Sequence, residues 1–226
     1  DGDGRSDLAV LDRGVGAWFI RSVAGPVITW QNPWGYSGVL PLGDDYSGDA
    51  RSDLALFDPH SGQWFIKSMT GPVLKWAHRW GWRGAKALPG DYDGDSIADP
   101  TVVDQASGRW YIQTMSNTVI TWANQWGWSG AIAVPGDYNG DRKWDQAVYD
   151  NRNGYWYIKT LDPVVLAWGH PWGWSGALPV PGDYNDDGRF DLAVYDSNKG
   201  LWYIKTLQGT VLAWNANWGW KGAIPV

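Results

Sequence analysis

A period of 46 residues governs this chain. Asp7, Asp53, Asp99, Asp145 and Asp191 keep that step without exception, as do Trp18, Trp64, Trp110, Trp156 and Trp202. A second tryptophan column runs Trp30, Trp76, Trp122, Trp168 and Trp214, and a third Trp34, Trp80, Trp126, Trp172 and Trp218. A fourth aromatic column is Tyr36, Trp82, Trp128, Trp174 and Trp220, leaving only Trp144 of the 20 Trp outside the pattern. Self-similarity at this spacing means a supersecondary unit that buries its apolar face against copies of itself.

Each repeat reads as four short strands, A to D. In the fourth repeat these are "GAIAVP", "DQAVYD", "YWYIKTL" and "PVVLAW". They are rich in β-branched and aromatic residues and bounded by Gly, Asn, Asp or Pro. The B–C connections "DRGVG", "DPHSG", "DQASG", "DNRNG" and "DSNKG" place Gly four residues after Asp. That suits a hairpin with a type I turn and a left-handed Gly. Four strands per 40–50 residues is the pattern of propeller blades. The expectation is an all-β, five-bladed β-propeller in one domain, 1–226. Its repeat units are approximately 1–37, 38–83, 84–129, 130–175 and 176–221. The chain enters at strand B and leaves after a fifth strand A, so residues 222–226 are expected to pair with residues 7–12. That pairing would close the ring and leave no open edge.

Composition agrees. All 24 acidic residues are Asp, alongside 30 Gly and 13 Pro, which favours turns over helices. The absence of Cys excludes disulfides and thiol chemistry. A formal charge of −6 argues against nucleic acid as partner. No apolar run approaches the ~18 residues of a membrane span. The first residue is Asp1 rather than Met, as expected of a processed chain or one cut from a longer protein.

The acidic residues gather in the A–B loops, which align as Asp-x-(Asp/Asn)-x-Asp-x-x-x-Asp. Loop one is Asp1, Asp3 and Asp7; loop two is Asp45, Ser47, Asp49 and Asp53; loop three is Asp91, Asp93, Asp95 and Asp99. Loop four is Asp137, Asn139, Asp141 and Asp145; loop five is Asp183, Asn185, Asp187 and Asp191. Oxygen ligands at alternating positions of a tight turn suit Ca²⁺, which takes 6–8 oxygens, with a backbone carbonyl at position 7. The competing reading is a turn capped by Asx hydrogen bonds without metal. Position 6 favours Gly. Loops one and five supply it as Gly4 and Gly188, whereas the others have Ala50, Ser96 and Arg142. Loops three and five are therefore expected to be the best sites, and loop two the weakest complete one.

The run "LPVPGDY", the acidic loop, "DLAVY" and the "WYI" strand resemble the FG-GAP/VCBS family of calcium-binding propeller repeats. That family is related to the integrin α-subunit propeller and to some fungal propeller lectins. The resemblance implies Ca²⁺ in the A–B loops and a secreted or cell-surface setting. Two features depart from it: the residue after strand B is Asp rather than Arg in all five repeats, and the Trp-Gly-Trp segment is unusually aromatic.

Alternating strands put the A–B and C–D loops on one face and the B–C and D–A loops on the other. The second face carries the columns headed by Trp34 and Tyr36. It also carries Asp12, Asp58, Asp104, Asp150 and Asp196. Aromatic planes beside carboxylates are how proteins grip sugars, although packing and turn capping compete for the same residues. The strand columns headed by Trp18 and Trp30 are expected between blades, and His60, His78 and His170 in solvent. The basic cluster of Lys75, Arg79, Arg83 and Lys86 suits a solvated surface or an acidic ligand. Nearly every polar residue of interest recurs fivefold, unlike the separated acid and base of an active site. The sequence thus points to a monomeric, calcium-stabilised, lectin-like binding module rather than an enzyme. A structural or protein-adhesion scaffold is the rival.

Overall fold

The computed structural model describes residues 2, 7–23 and 25–225. These hold nineteen strands and no helix, hence none long enough to cross a membrane. Repeat one gives β1 (Leu8–Asp12), β2 (Ala17–Arg21) and β3 (Val27–Pro33); repeat two gives β4 (Leu40–Pro41), β5 (Leu54–Asp58), β6 (Gln63–Lys67) and β7 (Val73–Arg79). Repeat three gives β8 (Lys86–Ala87), β9 (Thr101–Asp104), β10 (Arg109–Gln113) and β11 (Val119–Gln125). Repeat four gives β12 (Ala131–Ala133), β13 (Gln146–Asp150), β14 (Tyr155–Lys159) and β15 (Val165–Pro171); repeat five gives β16 (Leu178–Pro179), β17 (Leu192–Asp196), β18 (Leu201–Lys205) and β19 (Val211–Asn217). Each repeat forms its own sheet in sequential order, the five blades of an all-β propeller. The chain divides into two compact units. One is Asp1–Pro89 with Ser96–Val102 and Ile112–Val119; the other is Gly90–Asp95, Val103–Tyr111 and Ile120–Val226.

Packing follows strand rank. The B strands of repeats two to five are the most buried: β13 and β17 are buried along their whole length. Beside them Trp64, Trp110 and Trp156 of the C strands have no exposed surface. At ~25 cal/mol/Å² a fully buried indole of 150–250 Å² removes on the order of 4–6 kcal/mol of apolar surface from water. Ala147, Tyr149, Trp156, Ile158, Leu192 and Val194 form one such core.

Two expectations are corrected. The first sheet has three strands among the described residues. Val226 lies outside those residues, residues 222–225 belong to no strand, and Ile224 is 81% exposed. The A strands are only two or three residues long. Each contributes few ladder bonds and depends on its acidic loop to hold it beside strand B. Pro225 has no N–H to donate to such a ladder. Correspondingly β1 is exposed where the other B strands are buried.

The second correction concerns the column headed by Trp30. Its five members, expected between blades, are 64–73% exposed. The cause is a β-bulge. The residue after each of these Trp is left-handed: Gln31 (φ 54°), Ala77 (51°), Ala123 (56°), Gly169 (63°) and Asn215 (55°). Register shifts between the C and D strands accompany it. An extra residue re-aims the side chains on the bulged strand, so alternation does not predict which face they take.

Candidate functional site

The acidic loops are built around their last carboxylate. Asp53, Asp99, Asp145 and Asp191 are buried. Three of these accept a backbone N–H across the loop, from Tyr46 (2.9 Å), Tyr138 (3.0 Å) and Tyr184 (3.0 Å). Burial, with Asp141 and Asp137 nearby, pushes the Asp145 carboxyl up to about 7; burial also raises Asp53 and Asp191. Carboxylates held in this way, next to further oxygens, fit a hard cation.

In loops two to five the first carboxylate caps the turn. Asp45 accepts from Gly48 N and Ala50 N (both 2.7 Å), Asp137 from Gly140 N (2.6 Å) and Arg142 N (2.7 Å), and Asp183 from Gly188 N (2.8 Å). Ala50, Ser96 and Arg142 occupy position 6 with φ of 63–67°, the left-handed geometry for which Gly188 is suited. In loops four and five the Asn amides donate to Asp141 (3.0 Å) and Asp187 (3.1 Å). In loop two Asp49 accepts Arg51 N. In loop three carboxylate oxygens of Asp91, Asp93 and Asp99 lie within 4.8 Å of one another, with Asp95 donating its N–H to Asp93. Asp1 and Asp3 fall outside the described residues; Asp7 is half-buried.

Consecutive loops interlock. Trp144 N donates to Asp91 O (2.7 Å) and Phe190 N to Asp137 O (2.6 Å). Trp144, the tryptophan outside the repeat pattern, lies where a Cβ on Gly90 would fall, and Phe190 does the same at Gly136.

The Trp-Gly-Trp segments brace the opposite turns. The indole N–H groups of Trp18, Trp64, Trp110, Trp156 and Trp202 donate to the carbonyls of Trp34, Trp80, Trp126, Trp172 and Trp218 at 2.6–2.8 Å. The glycine between the aromatics touches the left-handed Gly of the B–C turn: a Cβ on Gly154 would lie 2.2 Å from the carbonyl carbon of Gly173. The Asp column caps these turns. Asp58 accepts from His60 N (2.8 Å) and Ser61 Oγ (2.6 Å), and Asp12 and Asp104 are arranged alike. Asp196 accepts from Asn198 N, and Asp150 is buried beneath a bidentate Arg152. These bonds hold the Asp58, Asp104 and Asp150 carboxyls below the usual carboxylate range.

The loop aromatics meet the following repeat in recurring quartets. Tyr203 takes Trp174 (centroids 5.0 Å apart) and Trp214 (5.2 Å) edge-on, while Trp172 lies 5.8 Å from Trp214. Tyr157 does the same with Trp128 and Trp168, with Trp126 alongside. Phe65 does so with Tyr36 and Trp76, with Trp34 alongside. Lysines cover the inner tryptophans: Lys67 over Trp34 (5.8 Å), Lys159 over Trp126 (5.0 Å) and Lys205 over Trp172 (4.7 Å). The quartet around Tyr203 opens into a cleft of about 210 Å³ lined by Pro171, Trp172, Gly173, Trp174, Tyr203 and Trp214. At its rim Tyr203 Oη hydrogen-bonds Asn215 Oδ1. The equivalent place at Trp128 is covered by the Arg152 guanidinium.

Trp34 and Trp80 are buried, Trp126, Trp128 and Trp172 half-buried, and Tyr36, Trp82 and Trp174 partly exposed. Trp218 and Trp220 stand most in solvent. The sequence reading missed the Trp30 column and the C-strand rings Phe65, Tyr157 and Tyr203 as parts of these clefts. His78 and His170 are not solvent-facing as expected. They are half-buried, hydrogen-bonded to Gln113 and to Lys205 Nζ respectively, because a D-strand position meets the C strand of the next repeat.

No family model matches the chain, and no curated protein matches it in sequence. Solved structures do. An Agrocybe aegerita lectin that recognises non-reducing terminal N-acetylglucosamine superposes with a TM-score of 0.61 at 15% identity, over 98% of this chain and 62% of that one. BBS1N, solved in complex with ARL6DN, superposes with a TM-score of 0.55 at 15% identity, over 94% and 65%. The chain thus spans somewhat under two thirds of these neighbours' length, and at such identity the likeness is one of fold.

Proposed function

We propose that this protein is a carbohydrate-binding module of the FG-GAP/VCBS type, acting by recognition rather than catalysis. The observation that carries the reading is the cleft of Trp172, Trp174, Tyr203 and Trp214. It is concave, exposed and walled by rings, with a hydroxyl and an amide at its rim. The C–H face of a pyranose stacks on such rings while Tyr203 and Asn215 exchange hydrogen bonds with its hydroxyls. The lectin neighbour supports this, and N-acetylglucosamine is the first sugar to try. Trp34 with Phe65 and Trp76, and Trp126 with Tyr157 and Trp168, offer related but differently filled surfaces. Repetition would raise avidity for clustered glycans by about 10²–10⁴.

Calcium enters as a structural ion of the acidic loops, held by Asp91, Asp93 and Asp99 and by the matching residues of loops two, four and five. It neutralises carboxylates whose burial otherwise disfavours their charge. The module works at a cell surface or in secretion, where calcium and displayed glycans coincide.

A glycan array probed with the folded parent and with Trp214→Ala tests the reading. Retention by the parent and its loss in a variant that melts normally is expected; a folded parent that retains no glycan overturns it. The rival, a protein-docking scaffold, draws on the exposed Trp218, Trp220 and Ile224 and on the BBS1N–ARL6DN neighbour.

A further inference from the structure

Gln146 and Lys159 face each other across the β13–β14 ladder. Directly opposed residues hold their Cβ atoms about 4.5–5.5 Å apart on one face of a sheet. Gln146 has no exposed surface and Lys159 only 9%. In the matching register Leu54 opposes Lys67 and Leu192 opposes Lys205, so Gln146 is a polar group set where other repeats place a leucine.

Asn124 joins the pair. Lys159 Nζ donates to Asn124 Oδ1 (3.1 Å), and Asn124 Nδ2 donates to Gln146 Oε1 (2.9 Å). An ammonium only donates, so it fixes the orientation of both amides in turn. Gln146 Nε2 ends the chain of bonds as a buried donor with no partner. Lys159 keeps two further N–H bonds, and its ammonium lies 5.0 Å from the Trp126 ring. The ion pairs among the described residues bring it no carboxylate. The Trp126 indole N–H is itself a donor, already bonded to Tyr157 O (3.1 Å). Both amide oxygens of the network already accept a bond, so the N–H groups left over on Gln146 and Lys159 gather beside one positive charge that no carboxylate among these ion pairs offsets. A buried amide N–H left unmet is costly, and an unpaired buried charge more so.

We infer that Lys159 and Gln146 hold a small monovalent anion, such as chloride, at the end of the β13–β14 ladder where the Lys159 ammonium meets the Trp126 ring. A halide accepts from ammonium and amide together and neutralises the charge, which a water molecule would not. Burial also holds the Lys159 ammonium below its ordinary range, so the bound anion restores its preference for the charged form.

The test uses the intact chain. Melting is followed against chloride or bromide, with gluconate holding ionic strength constant, for the parent, Lys159→Met and Gln146→Leu. Gln146→Leu carries the residue of β5 and β17 and keeps the fold measurable should Lys159→Met fail to form it. The parent is expected to gain stability with halide. Gln146→Leu should bind halide about tenfold more weakly, as befits loss of one hydrogen bond to a charged group. Bromide-soaked crystals should show anomalous density beside Lys159 Nζ. No density there, or a halide response equal in the parent and Gln146→Leu, overturns the inference. So does NMR showing Lys159 neutral at pH 7 in the presence of halide.

Discussion

Trp156 and Trp172 are joined by a hydrogen bond of 2.7 Å from the indole of one to the carbonyl of the other. The ring of Trp156 is wholly buried, so its one polar atom has no solvent to fall back on. Trp156→Phe keeps most of the ring and strands the carbonyl of Trp172. A loss of about 1–3 kcal/mol is expected in urea unfolding. A loss below a few tenths of that would mean the bond contributes packing only.

Gly154 and Gly173 approach each other closely enough that one methyl group has no room. Gly154→Ala should therefore destabilise severely, through both the clash and its φ of +80°. Gly176, at φ +86° with nothing within 4 Å, is the control. Gly176→Ala carries only the backbone cost, about 1–2 kcal/mol. Equal losses in the two variants would show that the contact does not matter.

The bulge after each exposed Trp is strained wherever it is not glycine. Ala123→Gly copies Gly169 of the fourth repeat. Relief of about 1–2 kcal/mol outweighs the extra freedom glycine has when unfolded, about 0.4–1 kcal/mol. A modest rise in melting temperature is expected; a fall would mean that the Ala123 methyl packs productively.

The acidic loops predict a calcium-dependent melt. A ligand at 100-fold its Kd adds about 2.7 kcal/mol to the folded state. EDTA should remove that gain, and Asp99→Asn should reduce the calcium stoichiometry found by calorimetry. A melt indifferent to EDTA, with no heat of calcium binding, would leave the loops as capped turns alone.

Much of this was legible from spacing. Columns of Asp and Trp gave the strand pattern of the repeat, the hairpin turns and the burial of Trp18, Trp64, Trp110 and Trp156, because a side chain that recurs in one strand register meets the same neighbours each time. The Trp30 column misled because its fate depends on Ala77 or Asn215 adopting positive φ, and neither residue announces a bulge as Gly169 does. The partnership of Trp172 with Tyr203 and Trp214 was hidden for another reason: it joins successive repeats, and a period says nothing about which residues of neighbouring units touch.

Trp214 and Trp156 separate recognition from support. Trp214→Ala should leave the melting temperature within a degree or two, since surface substitutions usually cost under ~0.5 kcal/mol. It should still abolish glycan retention at the Tyr203 cleft. Trp156→Ala should unfold the blade, at about 3–5 kcal/mol. Joint loss of stability and binding in Trp214→Ala would assign that ring to packing.

The indole-to-carbonyl bond and the glycine contact both close within a single repeat, spanning sixteen residues between Trp156 and Trp172 and nineteen between Gly154 and Gly173. Neither depends on a partner outside its own blade. Duplication or loss of one whole 46-residue unit therefore breaks no such brace, whereas an insertion that shifts the strand register between Gly154 and Gly173 breaks both. Copy number can drift in a lineage while the blade itself stays fixed.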